Sequence, residues 1–262
     1  MGLWVSVYGG AYIMAKDLFA TNSWFQKMIA GEPKNPAQKP SHADVEEAAD
    51  KVVSTLNAII STVGVVIWYF EDMKVMLKPE DFAFSHSAIR EYCLCITGAY
   101  MMFDFGRILY YLLKPIPGTS PSGRIAFLIH HIVVASACFF SAALHYGTFY
   151  TGIFSFGEFT TVLLNLRFFL SKAGYRQSPI YTVNEYLFAI LFFGIRVVGG
   201  WIMMWHMQVR WSAYQGGWEE HNTSTFIGYL VPACGYTHCV LQCWWFGMIV
   251  RMMYRKMKYN IK

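Results

Sequence analysis

The sequence predicts an all-α fold: a polytopic transmembrane helix bundle of six to seven spans around a central polar cavity. Three observations predict it. Hydrophobic residues make up 55% of the chain and charged residues 14%, against about 25% charged in an average soluble domain. That deficit cannot cover a water-facing surface. Aromatics reach 18%, as fits Trp and Tyr settling at the lipid–water boundary. Apolar runs recur along the chain, each near the roughly 20 residues a helix needs to cross the hydrocarbon. The net charge of +5 comes mostly from the C-terminal tail. No basic patch interleaves with a soluble fold, so no nucleic-acid partner is expected.

Residues 1–43 form an N-terminal hydrophobic segment and a Pro-rich linker. The first fifteen residues are apolar but lack the basic leader of a cleavable signal peptide. Lys16 and Asp17 interrupt the run, which then continues, so 2–29 reads as an extra, imperfect span. Those two charges would need a partner or a polar cavity. The stretch GEPKNPAQKP at 31–40 cannot be a membrane helix. Ser41 reads as the N-cap of a helix beginning near Asp44. Six clearer spans follow, at 52–70, 88–113, 124–144, 148–170, 182–207 and 226–254. Residues 44–258 thus read as one transmembrane domain, and 259–262 as the end of a basic tail.

The loops carry a charge rhythm. Lys114 and Arg124 between the second and third spans, Lys172 and Arg176 between the fourth and fifth, and the tail from Arg251 to Lys262 hold bases and no acid. The intervening loops hold most of the loop acids. Lys/Arg bias sets orientation, so the C-terminus is expected on the positive side, cytosolic or matrix. The sequon Asn222-Thr223-Ser224 falls in an expected outside loop. An endoplasmic-reticulum or other endomembrane location is favoured, with the mitochondrial inner membrane as the alternative.

Ionisable residues inside the spans carry the functional signal, since each costs roughly 2.5–3.5 kcal/mol to insert at bilayer depth. Glu158, Thr161 and Asn165 recur at helical spacing and form one stripe facing the bundle. Asp104 and Arg107 are one turn apart and can pair locally. Arg196 needs a partner, with Glu158 or Asp104 as candidates. His130 and His131 diverge by about 100° on a helix, so at most one comfortably faces a central cavity. His238 reads as a core residue. This pattern suits a polar pocket able to hold a lipid headgroup or move a proton; the competing reading is a network that only fixes helix packing. The six cysteines lie in or beside apolar runs at spacings of neither a zinc ribbon nor a C-x-x-C motif. No His, Cys, Asp or Glu cluster has metal-ligand spacing, so no metal is expected.

Four segments then acquire a common meaning in order: DKVVSTLNAII, ITGAYMMFDF, FLIHHIVVASA, and GEFTTVLLNLRFFLSKAGY followed by LFFGIR. Together they resemble the TLC domain shared by ceramide synthases, translocation-associated membrane proteins and a neuronal ceroid lipofuscinosis protein. The resemblance covers about residues 44–258. Glu158, Asn165 and Arg167 match a pattern of the small TLC-domain-containing proteins rather than of the ceramide synthases. It implies a helical bundle around a cavity, and an association with lipid. Ceramide synthases use a paired histidine followed by a later His-Asp pair. His130 and His131 match the first pair, but Gly157 stands in place of the later His and Glu158 in place of the Asp. Asn57 stands where the small subgroup usually has His.

The missing imidazole at Gly157 argues against ceramide synthase chemistry, which would need acid–base help there. The expected function is lipid binding or lipid homeostasis with membrane lipids as partners and no cofactor. The cavity would be built from Asn57, Asp104, His131, Glu158, Thr161, Asn165, Arg167 and Arg196. One alternative is a non-catalytic accessory subunit bound to other membrane proteins. The other is a lipid acyltransferase taking acyl-CoA, with His130 or His131 as base and Asp104 or Glu158 orienting it.

Overall fold

Asn22 divides the N-terminal apolar run in two. In the computed structural model, which describes residues 1–30, 40–74, 78, 81–114 and 121–260, α1 (Gly2–Thr21) stops at Asn22. The Asn22 side chain accepts from the Trp24 and Phe25 amides (3.0 and 3.4 Å) and starts α2 (Ser23–Ile29). The continuous span expected over 2–29 is therefore not one helix. The cap satisfies amides that an unbroken helix would bond to the preceding turn. Lys16 finds its partner in Glu46. Of the Pro-rich stretch, 31–39 lies outside the described residues.

α3 (His42–Lys74) is capped by Ser41. The Ser41 hydroxyl accepts from the Asp44 amide at 3.2 Å, and the Asp44 carboxylate accepts from the Ser41 amide at 3.1 Å. This reciprocal cap extends the first clear span ten residues upstream of its apolar part. α4 (Ala88–Leu113) is capped by Ser87 and α5 runs Pro121–Leu144. The fourth span is composite: α6 (Thr148–Ser155), a 3₁₀ turn (Phe156–Glu158) and α7 (Phe159–Lys172). So is the fifth, with α8 (Pro179–Leu191), a π-helical stretch (Phe192–Gly199) and α9 (Gly200–Val209). A short α10 (Trp211–Gly217) precedes α11 (Thr225–Asn260), which carries the basic residues up to Lys258 as helix; Lys262 lies outside the described residues.

The described residues form no strand, and the fold is an all-α bundle. Four helical stretches, His42–Met73, Ile125–Leu144, Thr148–Lys172 and Pro179–Val209, are long and apolar enough to cross a membrane.

Ion pairs tie one end of the bundle together. Arg107 near the end of α4 meets Glu46 and Asp50 at the start of α3, and Lys172 at the end of α7 reaches Asp44 at 2.6 Å. Lys256 near the end of α11 and Arg167 of α7 share Glu185 of α8, at 2.6 and 3.1 Å. The other end is closed by rings. Tyr146, Tyr150, Tyr214 and Trp218 pack with Met204 and Met207 in one buried cluster, and Gly147, in the left-handed region at φ 68°, donates its amide to Ala83 at 2.6 Å.

Candidate functional site

Between the ion-paired end and the middle of the bundle lies a cavity of about 640 Å³ lined from α3, α4, α5, α7, α8 and α11. Glu46, Glu47, Asp50 and Lys51 of α3 line its mouth, with Arg167. Deeper in stand Asp104, His130, His131, Glu158, Thr161 and Arg196. Phe188, Phe192, Trp245, Met248 and Ile249 supply an apolar wall. The cavity is thus charged at its mouth, polar in its floor and apolar along one side.

Two interruptions of regular helix build the floor. In the 3₁₀ turn the Gly157 carbonyl accepts from Arg196 Nε at 2.9 Å and from the Thr160 hydroxyl at 2.9 Å. Arg196 belongs to the π-helical stretch, a distortion frequent at functional sites. Its Nε also donates to Thr160 at 2.8 Å, and its Nη2 to Thr161 at 2.8 Å and Glu158 at 3.2 Å. Of the two partners open to Arg196 in the sequence, the structure selects Glu158. The glycine makes room, because a Cβ at 157 would stand 3.2 Å from Arg196 Cγ and 3.5 Å from its Nε. The guanidinium occupies space that a larger side chain at 157 would need.

Asp104 faces across to α5, its carboxylate 2.9 Å from His131 Nε2. Arg107 turns instead to α3, with Nη2 3.0 Å from Asp50 and 3.2 Å from Glu46. The local Asp104–Arg107 pair expected from spacing is replaced by these two cross-helix pairs. Side chains three apart lean to neighbouring helices when each can find an opposite charge there, and α3 presents two acids. The other ring nitrogen of His131, Nδ1, is 2.6 Å from the Phe127 carbonyl.

His130 also lines the cavity, so both histidines of the pair contribute to it. The divergence of the two rings does not keep either out, because the cavity wraps around that turn of α5. His130 packs against His238 and Trp245, ring centroids 5.1 Å apart in each case. Its Nδ1 has no hydrogen-bond partner. His238, buried in the core, takes Gln242 as partner at 3.1 Å.

Asn165 lines the cavity and donates to the Lys51 carbonyl (3.2 Å) and Thr55 (3.0 Å), binding α7 to α3. Asn57 stands apart from it, fully buried, accepting from Tyr8 at 3.1 Å on the α1 side. Met101 and Glu158 also line a small, mainly apolar pocket of about 40 Å³ that reaches Cys138, Tyr150, Met204 and His238.

Sequence reasoning passed over the mouth. Glu46, Glu47 and Asp50 precede the apolar part of α3, and only their helical spacing from the Ser41 cap marks them as one face. Glu185 falls within the apolar run 182–207, but its bridging of Arg167 and Lys256 needs the tertiary fold. Outside the cavity, folding brings His86, Glu91 and His145 within metal-ligand reach of one another; their spacing in sequence carries no such signal.

The family model of the TLC domain matches residues 47–251. The match takes in every polar side chain of the cavity floor and leaves α1 and α2 outside.

Proposed function

Because the chain belongs to the TLC domain family, we propose that this integral membrane protein holds a lipid in the cavity between α3 and α11 and serves lipid homeostasis without ceramide synthase activity. The observation that carries this reading is the make-up of the cavity. A polar floor beside an apolar wall suits an amphiphile, with its headgroup at Asp104–His131 and Glu158–Arg196 and its chain along Phe188, Phe192 and Trp245. From α7, Asn165 and Arg167 add polar lining, and Thr161 completes the floor. The family calls for no cofactor.

A second reading, acyl transfer from acyl-CoA to a lipid amine or alcohol, draws on the His131–Asp104 pair, which has the form of an oriented base. Two observations weigh against it. Both ring nitrogens of His131 are engaged, by Asp104 and by the Phe127 carbonyl, so neither is open to a substrate proton. His130 has an unpartnered Nδ1 but stands among His238 and Trp245 rather than beside a carboxylate.

On this proposal the bundle crosses the membrane six times, as α3, α4, α5, α6–α7, α8–α9 and α11. The mouth and the C-terminus lie on the Lys/Arg-rich, cytosolic side of an endomembrane. Recruitment as an accessory subunit is compatible with the same lipid-holding fold.

Native mass spectrometry of protein purified in mild detergent tests the proposal. The wild type should carry one lipid per chain. Leu164→Trp, which narrows the cavity from α7, should lower retention at least about tenfold, equivalent to about 1.4 kcal/mol, while the protein stays folded. Lipid-free wild type, or equal retention in the variant, rejects it. Turnover of acyl-CoA that disappears in His130→Ala would put the transferase reading in its place.

A further inference from the structure

We infer that His86, Glu91 and His145 form a divalent-cation site suited to zinc, at the ring-closed end of the bundle. It is separate from the lipid cavity and does not depend on the function proposed for it.

The three residues come from three places in the chain. His86 lies in the loop before α4, Glu91 in the first turn of α4, and His145 in the turn between α5 and α6. Glu91 Oε1 stands 2.8 Å from His86 Nδ1 and 2.8 Å from His145 Nδ1. All three donor atoms lie within 4.8 Å of one another. The two imidazoles meet edge-on, centroids 4.8 Å apart at 87°, so both can aim a nitrogen at one point without stacking.

The convergence is held by backbone. His145 adopts φ 53°, a left-handed conformation that non-glycine residues enter at a cost and that clusters at functional positions. The same turn is fastened to the loop beside His86 through the Gly147 amide and the Ala83 carbonyl. Glu91 is largely buried, whereas the His86 and His145 side chains are 62% and 55% exposed. An ion there would have three protein donors and an outward face for water.

The donor set selects the class of ion. Two imidazoles and one carboxylate, three protein ligands with a fourth position for water, is a zinc arrangement, whereas calcium and magnesium prefer oxygen. Zinc bonds of about 2.0–2.2 Å need donors roughly 3.3 Å apart in a tetrahedron. Each 2.8 Å contact therefore has to open by about half an ångström, within reach of two exposed rings. An ion would staple the loop before α4, the start of α4 and the α5–α6 turn to one another.

The full chain, stripped with a chelator in detergent and titrated with zinc chloride, tests the site by calorimetry and elemental analysis. One zinc per chain should bind saturably, and Tm should rise by about 2–4 °C. His145→Gln should weaken binding by more than about a hundredfold, beyond the loss that an outer-shell change produces. His86→Gln should do the same. Glu91→Gln, which keeps the shape, should weaken zinc while calcium binds neither protein. Wild type without saturable uptake, or a His86→Gln/His145→Gln double variant with wild-type uptake, overturns the proposal. Because both histidines are exposed, the variants should run as the wild type does on size exclusion. A double variant that does not still cannot save a wild type that takes up no zinc.

Discussion

Arg90 and Arg196 are both buried arginines paired with an acid inside the bundle, yet they stand in opposite surroundings. Arg90, fully buried, pairs with Asp72, donates to Thr148 at 3.1 Å and to Ser85 at 2.7 and 2.8 Å, and lies 5.5 Å from the Trp68 ring. Arg196 pairs with Glu158 and lines a cavity. Each also rests on a glycine of the same composite span. A Cβ at Gly152 would meet Trp68 at 2.8 Å and Arg90 Cδ at 3.3 Å; one at Gly157 would meet only Arg196, at 3.2 Å. The difference teaches that an ion pair in a membrane bundle is not by itself a functional signal. Arg90 is consumed by packing, with its donors spent on neighbours and rings around them. Arg196 holds its acid where there is room for something else.

The comparison breaks most readily at Arg90. Arg90→Met leaves Asp72 as an uncompensated buried charge and should cost about 3–5 kcal/mol, read as a large fall in Tm in detergent. Arg196→Met should cost clearly less, because the Glu158 it strands faces a cavity that water can enter. Equal losses in the two variants would erase the distinction between a packed end and an open one.

The glycines sharpen the comparison at a smaller scale. Gly152→Ala pushes a methyl to within 2.8 Å of the Trp68 ring, which is fully buried, and overpacking of this kind costs about 1–3 kcal/mol. Gly157→Ala should cost less than Gly152→Ala, since the Arg196 side chain can shift toward the cavity. Thermal unfolding of the two variants side by side gives the order. A larger loss at Gly157 would show Arg196 to be as tightly held as Arg90.

The helical bundle was legible in the sequence because a long apolar run announces a helix: the helix at 88–113 has the same bounds in both, and four of the six expected spans fall on stretches long and apolar enough to cross a membrane. Its polar interior was legible for a related reason: Glu158, Thr161, Asn165 and Arg196 cannot face hydrocarbon cheaply, so they had to turn inward. What the sequence could not supply is who meets whom across helices. Asp104 and Arg107 sit at ideal local spacing, but α3 offers Arg107 two acids and α5 offers Asp104 a histidine. Nor does spacing show that the Asn22 side chain takes two amides and ends the helix within 2–29. Gly157 was read for the imidazole it lacks, whereas its physical role is to let the Arg196 side chain lie against the backbone. The approach of His86 and His145 to Glu91 depends on a turn in the left-handed region, which no spacing rule anticipates.

The smallest effect tests how far the open end extends toward α1. Tyr8 and Asn57 are both fully buried, and the Tyr8 hydroxyl donates to Asn57 Oδ1 at 3.1 Å. Ser61 approaches the same oxygen at 3.4 Å, so Tyr8→Phe removes one of two donors and does not orphan the acceptor. Its cost should fall near about 1 kcal/mol, the usual net worth of one such bond. Lipid retention should stay as in the wild type, because Asn57 lies outside the cavity lining and serves the α1–α3 contact. A Tyr8→Phe protein that loses lipid as Leu164→Trp does would mean that the seating of α1 controls the cavity. The helix that the TLC match leaves out would then belong to the site rather than to its support.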